Sequence, residues 1–227
     1  MNCHIRFSPK FSFCLWLTLS LLAFTTHVHG ETEEKNLAPQ AAISESSIGP
    51  QQVVEQLHAT LLSSMQNAKE LGFQGRFNQI QPVVTDTFDV EFMGSKSVGR
   101  HWTKLSPEDQ QLWLEKFVGY ISANYAGNFD QYDGETFETL GEKEAQRNTR
   151  VVLTELKVPG GEDVIFNYRL RPTPKGWKII DIYLRGTVSE LALRRSDFTA
   201  ALKKNGFPEL TSTVDQKIAK FKEESES

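Results

Sequence analysis

From Pro50 onward, apolar residues recur every three or four positions: Val54, Leu57, Leu61, Met65 and Ala68 fall on one helical face. Phe77, Ile80, Val84 and Phe88 repeat the spacing within residues 73–92, where Pro82 is expected to bend or interrupt the helix. Ser106, Pro107 and Asp109 form a start signal: a capping hydroxyl, a proline at the first helical position and a carboxylate at the third. The helix they open carries Leu114, Phe117, Val118, Ile121 and Tyr125 on one face, widened by Trp113 and Tyr120. After Asp133-Gly134 the period changes to two, which predicts strands at 135–141, 147–158, 162–171 and 176–186. The last three are joined by "PGGE" and "PTPKG", so they are antiparallel neighbours. Two helices follow: residues 188–205, ended by Gly206, and Pro208 to about Phe221. Helices, then an antiparallel sheet, then helices describe an α+β domain.

What precedes Pro50 belongs to another class. Arg6 and Lys10 stand before an apolar run of about 14 residues that ends near the small residues of "HVHG", which reads as a secretory signal peptide over 1–30, cleaved after Gly30. Residues 31–49 are polar, without aromatics and without period, and read as a disordered leader; 223–227 read as a disordered tail to a domain at 50–222. Removing 1–30 takes two of the 25 Lys and Arg and none of the 29 Asp and Glu, leaving 197 residues at net −6. That balance makes no claim on nucleic acid and argues against tight adhesion to an anionic membrane. Cys3 and Cys14 both lie in the leader, so the mature chain has no disulfide or thiolate ligand and is held by its core alone. An exported, cysteine-free domain suits a bacterial periplasm.

Candidate chemistry centres on "WKIIDIYLRGTVSELALRRSDF". Strict alternation puts Asp181 on one strand face with Trp177, Ile179 and Tyr183. Helical steps put Arg195 inside the stripe of Val188, Leu191, Phe198 and Leu202, with Arg194 to the side. Three readings compete: a buried Asp181–Arg195 pair that fixes helix to sheet, a head-group contact at a pocket mouth, or an Asp181 general base of an enzyme acting on a hydrophobic substrate. His58 sits beside the apolar face of the first helix, and His101 lies in "VGRHW". Two scattered histidines offer no metal site, and no nucleophile elbow, phosphate-binding glycine loop or zinc-protease motif occurs.

The stretches "FDVEFMGSKSVGRHWTKLSPEDQQLWLEKFVGYISANYA" and "GWKIIDIYLRGTVSELALRRSDF" resemble the MlaC, or toluene-tolerance, family of periplasmic lipid-binding proteins. The shared positions include Phe88-Asp89, Gly99-Arg100-His101-Trp102, Ser106-Pro107, Tyr125-Ala126, Trp177, Asp181, Gly186, Ser189, Arg195-Ser196 and Phe198. "NFDQYDGETFETLGE" looks closer to the hopanoid-associated HpnM branch. The resemblance implies a nuclear-transport-factor-2-like (NTF2-like) fold, with a curved sheet and helices around an apolar cavity. It implies no catalysis and no cofactor. It also implies a phospholipid or hopanoid passenger, moved between an inner-membrane transporter of ABC or RND type and an outer-membrane acceptor. The expected lining is Phe92, Met93, Val98, Trp102, Phe117, Ile121, Tyr125, Phe166, Tyr168, Leu170, Ile180, Ile182 and Val188. Periodicity alone does not separate a filled core from a hollow one.

Overall fold

The structure, a computed structural model, describes residues 48–226. The expected signal peptide, its cleavage site, both cysteines and almost all of the leader lie outside these residues.

Helix α1 (Pro50–Gln66) opens with proline, whose missing N–H would be unpaired there in any case, and buries Val53, Val54, Leu57, Leu61 and Met65. Ala68 does not close α1; it starts α2 (Ala68–Thr87). The break expected at Pro82 lies instead at Gly72, whose φ of 59° and ψ of −176° are open to glycine and costly for other residues. Pro82 is exposed and the helix continues through it: the carbonyl it leaves unpaired belongs to exposed Asn78, which is open to solvent. Phe88 ends α2 and turns in against Ile179, so the apolar spacing across 73–92 covers two helices. Asp89 caps the second of these, α3 (Val90–Val98), by accepting from the Phe92 N–H at 3.1 Å. A 3-10 turn (Gly99–Lys104) leads to α4 (Pro107–Asn128), where Ser106 accepts from the Asp109 N–H at 3.0 Å as its sequence signal predicts.

The sheet is an antiparallel meander in the order β1 (Thr136–Ala145), β2 (Thr149–Lys157), β3 (Val164–Thr173), β4 (Gly176–Leu184) and β5 (Val188–Ser189). β1 forms one edge and has a register shift between Thr139 and Gly141, which lets the strand continue past 141 to Ala145. Register places Val152, Thr154 and Leu156 opposite Tyr168, Phe166 and Val164 on one face, which the helices cover. α1 lies over β1, β2 and β4; α2 packs between α1 and α4.

The last helix, α5 (Glu190–Ser225), leaves helical geometry at Asn205 and Gly206, so the expected pair of helices is present. It starts two residues later than position 188 and runs past 222 to Ser225. α5 packs on α3 and α4 through Phe198, Ala201 and Leu202 before the break and Leu210 and Val214 after it. Phe198 meets Trp113 edge to face at 5.1 Å and Tyr120 at 5.5 Å. Trp113 donates from Nε1 to the Gly94 carbonyl at 2.9 Å, and a Cβ on residue 94 would stand 2.6 Å from Leu114 Cδ2. Glycine there permits the close α3–α4 approach.

Phe198→Ala is expected to lower unfolding free energy by ~3–5 kcal/mol, because the cavity between Trp113 and Tyr120 has rigid walls. Urea denaturation measures it, and a loss under about 1 kcal/mol would show that this contact does not anchor α5.

Candidate functional site

Strict alternation along β4 fails at one residue. Arg169 pairs with Asp181 while Leu170 pairs with Ile179, so Ile180 is a bulge and Asp181 faces away from Ile179. The carboxylate thereby leaves the apolar face and meets the start of α5. Asp181 accepts from Ser189 Oγ at 2.7 Å, from the Leu191 N–H at 3.1 Å and from the Ile182 N–H at 2.8 Å. Ser189 in turn accepts from the Ala192 N–H at 3.0 Å. Two side chains thus cap the positive end of one helix.

The expected Asp181–Arg195 ion pair does not form. Val188 belongs to β5 and is 43% exposed, so it neither starts the helix nor lines an interior. With Val188 removed from the stripe and Ala201 added, the inward face of α5 turns toward Arg194. Arg194 is the half-buried arginine: it pairs with Glu190 at 2.7 Å and lies 5.3 Å from the Tyr120 ring centroid. Arg195 is exposed, with its guanidinium beside Gly99. The general-base reading of Asp181 also loses its footing, since both carboxylate oxygens already accept hydrogen bonds, from Ile182, Ser189 and Leu191.

The other expected lining residues, Ile180 excepted, divide into two groups within one apolar cluster. Tyr125, Phe166, Tyr168 and Leu170 are buried between sheet and helices, with Ile182 partly buried beside them and Ile180 buried at the bulge. Met93, Val98 and Phe117 are buried on α3 and α4, with Phe92, Trp102 and Ile121 partly buried around them. Arg171 closes over the Phe92 ring at 4.5 Å while its Nε reaches Asp89 at 2.6 Å. In this conformation the interior is closed by rings: Phe129 lies 6.1 Å from Phe137, 6.3 Å from Phe166 and 5.8 Å from Tyr125. Two concavities stand out among the described residues, and neither is lined by the sheet. One is a shallow groove on the first turns of α4. The other, of about 540 Å³, lies at the α1–α2 junction above Arg76, which donates to the carbonyls of Ala126 at 2.9 Å and Ala68 at 3.0 Å.

His58 is a core residue rather than a helix-flank one. It is 5% exposed, stacks on Phe137 at 4.0 Å and shares a 3.1 Å hydrogen bond with the Tyr168 hydroxyl. Burial pushes its pKa down to about 3. The Tyr125 hydroxyl, pushed up chiefly by burial and then by Tyr168 beside it, forms no hydrogen bond of good geometry among the described residues. Nothing in the helical spacing around "EQLHATLL" separates this buried position from a flank, because the residue faces a strand about 110 positions away.

Asp181→Ala is expected to cost ~1–3 kcal/mol, because it removes one of the two caps of α5 and leaves the half-buried Leu191 N–H without its partner. Arg195→Ala is expected to change stability by less than about 0.5 kcal/mol, since the side chain is exposed. Urea denaturation of the two variants reverses the order if Arg195 carries the helix–sheet junction. His58 has a folded pKa below its unfolded value, so its contribution is complete above about pH 6.5 and is lost as pH falls toward 3. Between pH 6.5 and 5 stability is expected to fall by up to ~1.4 kcal/mol per unit more in the native protein than in His58→Phe, and parallel denaturation curves would refute this.

Three comparisons bear on this arrangement. The family described as MlaC protein matches residues 55–216, from within α1 to the second half of α5. The intermembrane phospholipid transport system binding protein MlaC of Haemophilus influenzae is 23% identical over 188 residues, covering 79% of this chain and 86% of that protein. A phospholipid-binding protein from Ralstonia solanacearum, solved in complex with a phospholipid, superposes with a TM-score of 0.66 at 22% identity, over 76% of this chain and 98% of that one. The α+β fold expected from the sequence is the fold of that protein. With one family matched across nearly the whole described domain, the chain belongs to the MlaC family.

Proposed function

We propose that this protein carries a phospholipid through the periplasm, with the acyl chains held between the sheet and the helices, from an inner-membrane transporter to an outer-membrane acceptor or in reverse. The observation that supports it most is the family match over 55–216, which takes in all five strands and the helices packed on them. The relatives named above carry phospholipid in their descriptions, which favours that passenger over a hopanoid.

The physical need is plain. Two acyl chains of about 16 carbons expose about 30 methylenes, each costing roughly 0.8 kcal/mol in water, or ~24 kcal/mol together. A carrier removes that barrier when its interior replaces the hydrocarbon contacts of the bilayer. The interior here is apolar enough, with Val152, Leu156, Phe166, Leu170 and Ile179 from the sheet facing the helices. Its rings are in mutual contact, so loading requires helices and sheet to part or the rings to rotate. Closure when empty is useful in itself, since an open greasy cavity in water would associate or collapse.

Purification of the exported protein under native conditions, organic extraction and mass spectrometry are expected to find about one phospholipid per chain. A triterpenoid in its place would transfer the reading to a hopanoid carrier. A stoichiometrically lipid-free protein that also fails to take up phospholipid from vesicles would overturn the proposal.

A further inference from the structure

The chain as a whole is acidic, yet at one place basic side chains gather with no ion-pair partner among the described residues. Arg100, His101 and Lys104 come from the 3-10 turn after α3, and Arg195 and Lys203 come from α5. Among the described residues none of these five forms an ion pair, although Arg194, Lys204 and Lys217 close by in sequence all do. Arg195 lies against the turn: its Nε and Nη2 stand 3.0 Å from where a Cβ on Gly99 would be, so a larger residue there would press on the guanidinium. His101 Nε2 is buried without a hydrogen-bond partner. Burial first, and then the charges of Arg100, Lys104 and Lys203, push the His101 imidazole below its usual pKa, which places all four groups in one electrostatic neighbourhood.

The same place borders the apolar interior. Val98, fully buried, directly precedes Gly99; Phe198, fully buried, lies one turn beyond Arg195; Leu202 is buried beside Lys203. Trp102 packs against the core from within the turn itself. A cationic rim next to an oily interior fits a molecule with a negative head and apolar tails. Guanidinium matches phosphate oxygens in pairs, and a bound anion would relieve the mutual repulsion of the cluster.

We propose that Arg195, Arg100, His101, Lys104 and Lys203 form a phosphate-binding subsite that holds the phosphodiester of a lipid head group at the edge of the interior between α3, α4 and α5. This rests on the carrier reading above and adds to it a preference for phosphate-bearing lipids. It also gives Arg195 a role that the missing pair with Asp181 left open.

The test compares lipid-stripped full-length mature protein with Arg195→Gln/Lys203→Gln, both positions being exposed, after matching their melting temperatures. Binding is measured for phosphatidylglycerol and for a diacylglycerol with the same acyl chains, at low salt. The native protein is expected to prefer the phospholipid by about tenfold or more, and the double variant to bind the two lipids within about twofold of each other. Inorganic phosphate alone, followed through the His101 ring protons, is expected to shift the native spectrum and not the variant's, which marks the site as one for phosphate in either form. An undiminished preference in the variant would overturn the subsite. So would a variant that loses only its sedimentation with phosphatidylglycerol vesicles, since the cluster would then serve a membrane surface. A native protein that binds neither lipid would instead overturn the carrier reading.

Discussion

The junction between β4 and α5 depends on one carboxylate. Asp181 ties the Ser189 hydroxyl and the Leu191 N–H to the strand, and so fixes the residue at which α5 begins. A helix that starts one residue earlier presents a face rotated by about 100°. Its starting point decides that Phe198 enters the aromatic cluster with Trp113 and Tyr120, that Arg194 folds back on Glu190, and that Arg195 turns to the 3-10 turn at Gly99. The capping bond is local, yet it sets the orientation of everything that α5 contributes. The bulge at Ile180 is what brings the carboxylate to that position.

That dependence also explains what was legible in the sequence. Caps and periods survive folding because they are local: Ser106-Pro107-Asp109 starts α4 as written, and the strand sequence with its short connections gives the meander directly. The side-chain partners are another matter. Period-two reasoning assumes an unbroken ladder, and a single extra residue opposite Arg169 and Leu170 reverses every assignment on one side of it. The phase of α5 was misread for a related reason: Val188 is apolar and adjacent to the helix, but pairs with Leu184 as a strand residue. Glu190 and Arg194, four apart on a helix, carried a readable signal for the pair that did form. So did Asp89, a capping residue ahead of an apolar turn, for the boundary between α2 and α3. The burial of His58 had no local signature, since both of its partners come from the sheet.

The expected lining positions other than Val188 are buried or partly buried. Their arrangement as a closed interior is compatible with a carrier, because a passenger with flexible tails and a core of rotatable rings exchange like contacts for like. The polar groups inside are His58 with Tyr168 and the Tyr125 hydroxyl beside Tyr168.

The outermost strand has a further consequence. β1 has a partner on one side only, and its register shift near Thr139 is followed by Glu142, Lys143 and Glu144, with Glu138 just before it. A twisted border studded with charged side chains is a poor template for a second copy of the sheet. The exposed edge of the sheet is thereby protected from stacking into fibrils.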